Sequence, residues 1–375
     1  MIKKYSFTLF VATILLAGCG VSKKVSAQTT PSLKETFKDD FLIGTAINTQ
    51  QIEENDTAAD RLINQQFNAV TPENIMKAEI IEPAWNKFNF DLADKLVAFA
   101  QKNNIKVNAH NLIWHSQLPA FMHHMQSADS VKQYFANHIT TVASRYDGKA
   151  YSWDVVNEAL NEDGTLRNSI FLQKLGDDYI VEAFRLAQKA SPHSKLYYND
   201  YNIEQPKKRA GAIALIKKIQ AAGVRIDGVG IQGHWRADNV PMQDIEESIK
   251  EFSALGIEVM FTELDLGVLR NPWDNATADV SATSKGDSTM NPYANGLPDS
   301  VEQVQAKAYA DLFKLFLKYK KNVSRVTFWG VNDGQSWLND WPIRGRTNYP
   351  LLFDRNFQPK PAFDSVIATK QTINQ

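Results

Sequence analysis

Hydrophobic and polar positions follow two alternating patterns along most of the chain. Short runs rich in β-branched and aromatic residues, typical of buried strands, are separated by longer stretches with a helical repeat. In residues 131–146 and again in residues 301–319, apolar side chains recur every three or four positions. Eight runs are predicted to be strands: residues 41–46, 69–71, 106–110, 152–157, 195–199, 228–232, 258–263 and 325–329.

This alternation indicates an α/β protein, because strands separated by helices pair in parallel. Eight strand–helix units suit a closed (β/α)8 TIM barrel, a fold that usually takes roughly 200 to 400 residues. An open, doubly wound sheet is the alternative. The first predicted strand is not followed by a glycine-rich nucleotide-binding turn, which favours the barrel. We therefore expect one (β/α)8 domain over residues 32–375.

Residues 271–300 interrupt the pattern. They are rich in Asn, Asp, Ser, Thr, Gly and Pro, and they show no periodicity. They follow the seventh predicted strand, and a loop of this length in a compact domain is usually either functional or disordered. We expect a long insertion that lies over or beside the cleft at that end of the barrel.

The N-terminus has the organisation of an export signal. Two lysines precede an apolar run over residues 7–16, which is too short for a membrane span of roughly 20 residues. The run ends in LAGC at residues 16–19. This sequence resembles a bacterial lipobox, which implies a signal peptide over residues 1–18 and lipidation of Cys19. An ordinary cleaved signal with an incidental cysteine is the alternative.

Residues 19–31 are polar and small, and we expect them to form a flexible tether. The protein would then be exported and held to a bacterial membrane by its lipid, on the periplasmic face or at the cell surface. No acidic run follows Cys19, which favours the periplasm.

Composition narrows the classes of partner. With 41 basic and 42 acidic residues the chain has a net charge of −1, so it lacks the basic character of a nucleic-acid binder. A single cysteine makes neither an internal disulfide nor a thiolate zinc site. The histidines do not show the HExxH spacing. We expect a monomer without metal or cofactor.

Polar and aromatic residues follow the ends of the predicted strands, which form the active-site face of a (β/α)8 barrel. Two of them are glutamates on nearly opposite strands, Glu158 and Glu263. Paired carboxylates suit glycoside hydrolysis, in which one donates a proton and the other attacks the anomeric carbon or activates water. Aromatic rings stack on sugar faces, and polar side chains bind the hydroxyls. A buried structural ion pair is the alternative for either glutamate.

Seven motifs stand at these strand ends in order: TPENIMKAE, HNLIWHSQLP, WDVVNEAL, YYNDYNIE, GIQGHW, FTELD and FWGVNDGQSW. Through them the chain resembles the glycoside hydrolase family 10 endo-β-1,4-xylanases. The resemblance implies endo-hydrolysis of xylan with retention, which requires carboxyl groups about 5–5.5 Å apart. Two alternatives remain. One is hydrolysis of another β-1,4-glycan, such as cellulose or mixed-linkage glucan, and the other is a non-catalytic xylan-binding surface lipoprotein.

The resemblance also assigns roles to residues. Glu158 is the expected acid/base and Glu263 the expected nucleophile. The expected supporting residues are Asn157, His234 and Asp265, of which the last two orient Glu263 and keep it ionised. Residues expected to bind sugar at and before the cleavage point are Glu73, Asn74, Lys77, His110, Trp114, Gln232, Trp329 and Trp337. Residues expected on the leaving-group side are Asn199, Tyr201 and Asn202.

Overall fold

Within the ranges that the structure describes, eight parallel strands close into a barrel, as the sequence pattern predicts. The computed structural model describes residue 1, residues 32–272, residue 280 and residues 283–373. The strands are β1 (Leu42–Ile47), β2 (Ala69–Pro72), β3 (Lys106–Trp114), β4 (Ser152–Asn157), β5 (Lys195–Asp200), β6 (Gly228–Ile231), β7 (His234–Arg236), β8 (Glu258–Gly267) and β9 (Val323–Phe328). Pairing of β1 with β9 and of β6 with β8 closes the barrel, and β7 pairs with β8 outside it.

The predicted signal peptide beyond residue 1, Cys19 and the tether lie outside the described residues. The described residues from 32 onward belong to one compact unit. Among the described helices, none is both long and apolar enough to cross a membrane.

Two strands, β3 and β8, run four residues past their predicted ends. After an irregularity in register, β3 continues to Trp114 and pairs with the end of β4. The last residues of β8, through Gly267, pair with β7. Both extensions contain polar residues, and a hydrophobic pattern predicts that a buried strand ends where polar residues begin. β7 was not predicted, because three residues are too few to show a repeat.

Helices surround the barrel and bury their apolar faces against it. They are α1 (Leu33–Thr36), α2 (Thr49–Ile52), α3 (Thr57–Gln66), α4 (Ala78–Ile81), α5 (Asp91–Lys102), α6 (Ala128–Arg145), α7 (Ile170–Leu175), α8 (Tyr179–Ala190), α9 (Pro206–Ala221), α10 (Met242–Ser253), α11 (Asp299–Lys318) and α12 (Pro361–Ile373). The two predicted helical repeats correspond to α6 and α11. Helix α6 begins earlier than its apolar repeat because the Ser127 side chain caps it, accepting a hydrogen bond from the backbone of Ser130.

One glycine inside the barrel makes room for a polar side chain. A Cβ atom at Gly230 on β6 would lie 2.4 Å from Oδ1 of Asn199 and 2.6 Å from Cγ2 of Thr262. The absence of a side chain at Gly230 therefore lets the Asn199 amide occupy the barrel interior.

The described part of the insertion packs against the loop that follows β9. The Ser284 N–H donates to the Pro342 carbonyl (2.8 Å), and the Tyr349 hydroxyl donates to the Tyr293 carbonyl (2.8 Å). Val280 lines the cleft at the carboxyl end of the strands. The described part of the insertion thus lies beside the cleft, on the side formed by the last loop.

A buried ion pair fastens α12 to that last loop. The Lys360 ammonium lies 3.0 Å from the Asp333 carboxylate and donates to the carbonyls of Tyr349 and Leu351, each at 2.8 Å. Both charged side chains are buried. A buried charge of this kind is tolerated because its partner and its hydrogen bonds are in place.

Replacing Lys360 with Met should lower the free energy of unfolding by about 3–5 kcal/mol, because the Asp333 carboxylate would remain buried without a cation. The matched control is Lys314→Met, which breaks an exposed pair with Asp311 and should cost at most about 1 kcal/mol. Chemical denaturation measures both variants. Equal, small losses would show that the buried pair does not fasten the helix.

Candidate active site

A polar cleft of about 140 Å³ opens at the carboxyl ends of the barrel strands. It brings together most of the residues that the sequence singles out. Its walls are formed by Glu73, Asn74, Lys77, His110, Trp114, Gln117, Asn157, Glu158, Gln232, His234, Glu263, Val280, Trp329 and Trp337. Gln117 and Val280 are absent from the predicted set.

Glu158 directly follows β4, and its backbone is in the left-handed region with φ of 54°. Its carboxyl group is buried and accepts hydrogen bonds from Nε1 of Trp114 (2.8 Å) and Nε2 of Gln232 (2.9 Å). Burial raises the pKa of Glu158 to about 7, and the negative charges of Asp200 and Glu263 act in the same direction. A substantial fraction of Glu158 is therefore protonated at neutral pH.

Glu263 lies in β8, and its carboxylate has different neighbours. Nδ2 of Asn199 donates to one oxygen (2.8 Å), and Nε2 of His234 lies 3.3 Å from the other. Burial alone would raise the pKa of Glu263, but the hydrogen bond from His234, the electrostatic attraction of His110 and His234, and the Asn199 bond together lower it. Glu263 is therefore ionised at neutral pH.

His234 carries the positive charge that Glu263 needs. Its Nδ1 lies 3.1 Å from the Asp265 carboxylate, which also accepts a hydrogen bond from Nε1 of Trp337 (2.9 Å). Burial would lower the pKa of His234, but Asp265 and Glu263 outweigh it and raise the pKa to about 10. Asp265 thus lies behind His234 and fixes both its charge and its orientation.

The far wall of the cleft is built around Lys77. Its ammonium lies 2.9 Å from Oδ1 of Asn74 and 2.8 Å from Oε1 of Gln117, and 4.8 Å from the centre of the Trp114 ring. Burial lowers the pKa of Lys77, although the carboxylates around it, Glu263 first among them, oppose this. Gln117 also donates to Glu79 (2.8 Å), so it joins the loops after β2 and β3. Gln117 lies inside the HNLIWHSQLP motif, and that membership is the sequence signal that could have found it.

Aromatic rings close the opposite side. Trp329 meets His110 and His234 edge to face, with ring centres 5.6 and 6.5 Å apart. Trp337 meets His234 at 5.0 Å and stacks on Trp341 at 4.5 Å. These tryptophans therefore form a rigid wall beside the two carboxyl groups.

A second cleft, of about 400 Å³, lies next to the first, and His234 lines both. Among the described residues, its walls include Asn202, and neither cleft includes Asn199 or Tyr201. Asn199 is fully buried, and its Nδ2 donates to both Asn157 and Glu263. The structure therefore places Asn199 behind the carboxylates rather than among the leaving-group contacts that were predicted for it. Tyr201 is also buried, and its hydroxyl accepts a hydrogen bond from Arg167 (2.8 Å).

Among the described residues, no group of three or more His, Cys, Asp or Glu side chains is arranged to hold a metal ion. The chemistry that the described residues offer is that of two carboxyl groups in different protonation states, flanked by aromatic and hydroxyl-binding side chains. This arrangement on a (β/α)8 barrel defines a glycoside hydrolase.

Comparison with known proteins gives the family. The family model for glycosyl hydrolase family 10 matches residues 32–369. Endo-1,4-beta-xylanase A of Xylanibacter ruminicola is 42% identical over 346 residues, which cover 91% of this chain and 94% of that protein. Beta-1,4-xylanase of Dictyoglomus thermophilum is 38% identical over 97% of this chain and 99% of that protein.

Solved structures agree with the sequence comparison. A GH10 endoxylanase retrieved from a sugarcane soil metagenome has a TM-score of 0.86 at 41% identity, covering 90% of this chain and 99% of that one. The chain therefore belongs to glycosyl hydrolase family 10, and the resemblance seen in its motifs is confirmed.

Removing the charge of Glu263 should lower the pKa of Glu158 below its value of about 7, because that charge helps to raise it. The change to make is Glu263→Gln, and the measurement is a 13C NMR titration of labelled glutamate. Glu54→Gln, in an exposed pair with Lys102, is the control and should leave the Glu158 titration unchanged. A Glu158 pKa that stays constant or rises in the Glu263 variant would contradict this electrostatic coupling.

Proposed function

We propose that the protein is an endo-β-1,4-xylanase that cleaves xylan in two displacement steps with retention of configuration. The observation that carries the proposal is the pairing, in one cleft, of a buried Glu158 with a raised pKa and a Glu263 kept ionised beside His234. The names of the related xylanases support the choice of substrate.

In the first step, the protonated Glu158 gives its proton to the glycosidic oxygen while the Glu263 carboxylate attacks the anomeric carbon. The bond to the leaving sugar breaks, and a covalent ester forms between the glycone and Glu263. Trp114 and Gln232 orient the Glu158 carboxyl through their N–H groups. His234 and Asn199 hold the Glu263 carboxylate in position for attack.

In the second step, Glu158 acts as a base, since it has lost its proton. It takes a proton from a water molecule whose oxygen attacks the anomeric carbon, and the ester bond to Glu263 breaks. Both glutamates return to their starting states, so the cycle needs no cofactor. Because Glu158 must be protonated at the start, activity should fall as pH rises through its pKa.

The cleft walls favour a neutral, unbranched sugar ring at the cleavage point. Glu73, Asn74, Lys77 and Gln117 supply polar groups for hydroxyls, and Lys77 donates hydrogen bonds to Asn74 and Gln117. Trp329 and Trp337 supply stacking surface beside His234. We expect them to leave little space for the hydroxymethyl group of a hexose. These features support xylan over cellulose as the substrate.

Glutamine and alanine variants of the two glutamates test the assignment. Glu158→Gln and Glu158→Ala should lower xylanase activity by about 10²- to 10⁴-fold, the usual contribution of a general acid. Glu263→Gln and Glu263→Ala should lower it by roughly 10⁴-fold or more, because the ester can no longer form. The assay measures reducing ends released from xylan and, in parallel, from mixed-linkage glucan and cellulose.

The matched control is Glu182→Gln, an exposed glutamate paired with Arg185, which should retain full activity. Full activity in a folded Glu263 variant would overturn the nucleophile assignment. Faster release from a glucan than from xylan would overturn the substrate assignment. Tight binding of xylo-oligosaccharides without turnover by the wild-type protein would overturn catalysis itself.

We also propose that Cys19 is lipidated after removal of residues 1–18, and that residues 19–31 tether a monomeric enzyme to the membrane of an exporting bacterium. The LAGC sequence after a short apolar run supports this proposal. A membrane-held enzyme would act on xylan fragments that reach the cell.

Cys19→Ala should move the protein from the membrane fraction to the soluble fraction and abolish incorporation of labelled palmitate, when it is expressed in a bacterium that processes lipoproteins. Ser22→Ala, in the same tether, is the control and should keep the wild-type distribution. An unchanged membrane fraction for Cys19→Ala would refute lipid anchoring at this residue.

A further inference from the structure

The backbone N–H groups of the turn that presents Glu158 are held by one neighbouring strand. The backbone N–H groups of three successive residues donate to groups on β5, in the following order: Glu158 to the Asn199 carbonyl (2.9 Å), Ala159 to the Tyr198 hydroxyl (3.2 Å) and Leu160 to the Asp200 carboxylate (3.4 Å). Because Glu158 has a left-handed backbone, a conformation that non-glycine residues rarely adopt, this turn needs such support.

Asp200 stands out among these groups because it is charged and fully buried. Its Oδ1 lies 3.0 Å from the ammonium of Lys208, which is also fully buried, and its other oxygen accepts a hydrogen bond from Tyr198. The Lys208 ammonium lies 3.6 Å from the centre of the Tyr201 ring. A buried ion pair is weak evidence for stability, since apolar side chains of similar volume often serve as well. Stability alone therefore does not account for the pair, which lies next to the turn that carries Glu158.

The charges around Glu158 come from several elements. Glu158 interacts electrostatically with the titratable groups of Asp200, Glu263, Lys77, Arg167 and Tyr201. Asp200 interacts in the same way with Lys208, Arg167, Tyr198, Tyr179, Tyr201 and Glu158. After burial, the negative charge of Asp200 is the largest contribution to the raised pKa of Glu158.

Arg167 completes the support from the other side. Its Nε donates to the Glu158 carbonyl (3.2 Å), and its Nη2 donates to the Tyr201 hydroxyl (2.8 Å). The backbone on both sides of Glu158 is thus bonded to a network that contains the buried Asp200 and Lys208 and the half-buried Arg167.

We propose that Asp200 is a positioning residue for the reaction: its carboxylate holds the turn after Glu158 and keeps a negative charge behind the Glu158 carboxyl. The inference rests on the proposed function, in which Glu158 gives up a proton and later takes one back. The sequence motifs assign no role to Asp200 or Lys208. In the described part of the chain Asp200 lines neither of the two clefts, and its carboxylate contacts Leu160, Tyr198 and Lys208.

Asp200→Asn tests the proposal, since it keeps the shape of the side chain and removes its charge. Without that charge, Glu158 loses its proton at a lower pH. The alkaline limb of the profile of kcat/KM against pH should move down by roughly one unit. The acidic limb, which reflects protonation of Glu263, should stay in place. The Glu158 pKa from a 13C NMR titration should move by the same amount.

Two further variants separate this role from a merely structural one. Glu162→Gln removes a half-exposed carboxylate that lies 3.3 Å from Lys208 and should leave both limbs unchanged. Lys208→Met removes the cation that most lowers the pKa of the fully buried Asp200. Asp200 should then become protonated and neutral, so the alkaline limb should again move down. If Asp200→Asn does not fold, the Lys208→Met profile decides the question. A downward shift supports the proposal, and an upward shift or no shift overturns it.

An unchanged alkaline limb in folded Asp200→Asn would overturn the proposal, even if its activity or thermal stability fell, because such losses follow from any damage to the turn. Failure of the proposed function would look different. A wild-type protein without activity on xylan would refute that function, whereas the NMR titration needs no turnover and still reports whether Asp200 acts on Glu158.

Discussion

Two buried carboxyl groups share one cleft and hold different protonation states, because a cation lies beside one of them. Glu263 is next to His234, which Asp265 keeps protonated, and the pKa of Glu263 is lowered in spite of burial. Glu158 instead accepts hydrogen bonds from the neutral groups of Trp114 and Gln232, so burial dominates and raises its pKa. Under the proposed mechanism, an acid and a nucleophile thus arise from the same residue type through their surroundings.

The barrel supplies these surroundings through its strand ends. β4 and β8 carry the two glutamates, and the Asn199 amide of β5 reaches Glu263 across the space left by Gly230 on β6. The loop after β9 adds Trp337, which bonds to Asp265 and so links the aromatic wall to the charge of His234. The described part of the insertion packs on this same loop. The described part of the insertion therefore contacts the loop that carries Trp337 and, through Val280, also lines the cleft.

The periodicity of the sequence was enough to predict all eight barrel strands and the rim residues at their ends, because buried strands and strand-end polar residues leave local signals. Side-chain direction was harder to predict. Asn199 lies inside the barrel and bonds to Asn157 and Glu263, which are 42 and 64 residues away in the chain, and such distant contacts leave no local pattern. The pair of Asp200 and Lys208 was missed for a related reason. The residue types of an ion pair do not show whether the pair is buried or exposed to solvent, and only the fold shows its burial.

The central claim is that Glu263 forms a covalent bond to the sugar while Glu158 supplies and recovers the proton. The most direct measurement is the configuration of the product at the moment of its release, followed by 1H NMR during rapid hydrolysis of a xylo-oligosaccharide before mutarotation. Two displacements at the anomeric carbon predict that the β anomer appears first. An α anomer as the first product would show a single displacement by water and would contradict the role given to Glu263.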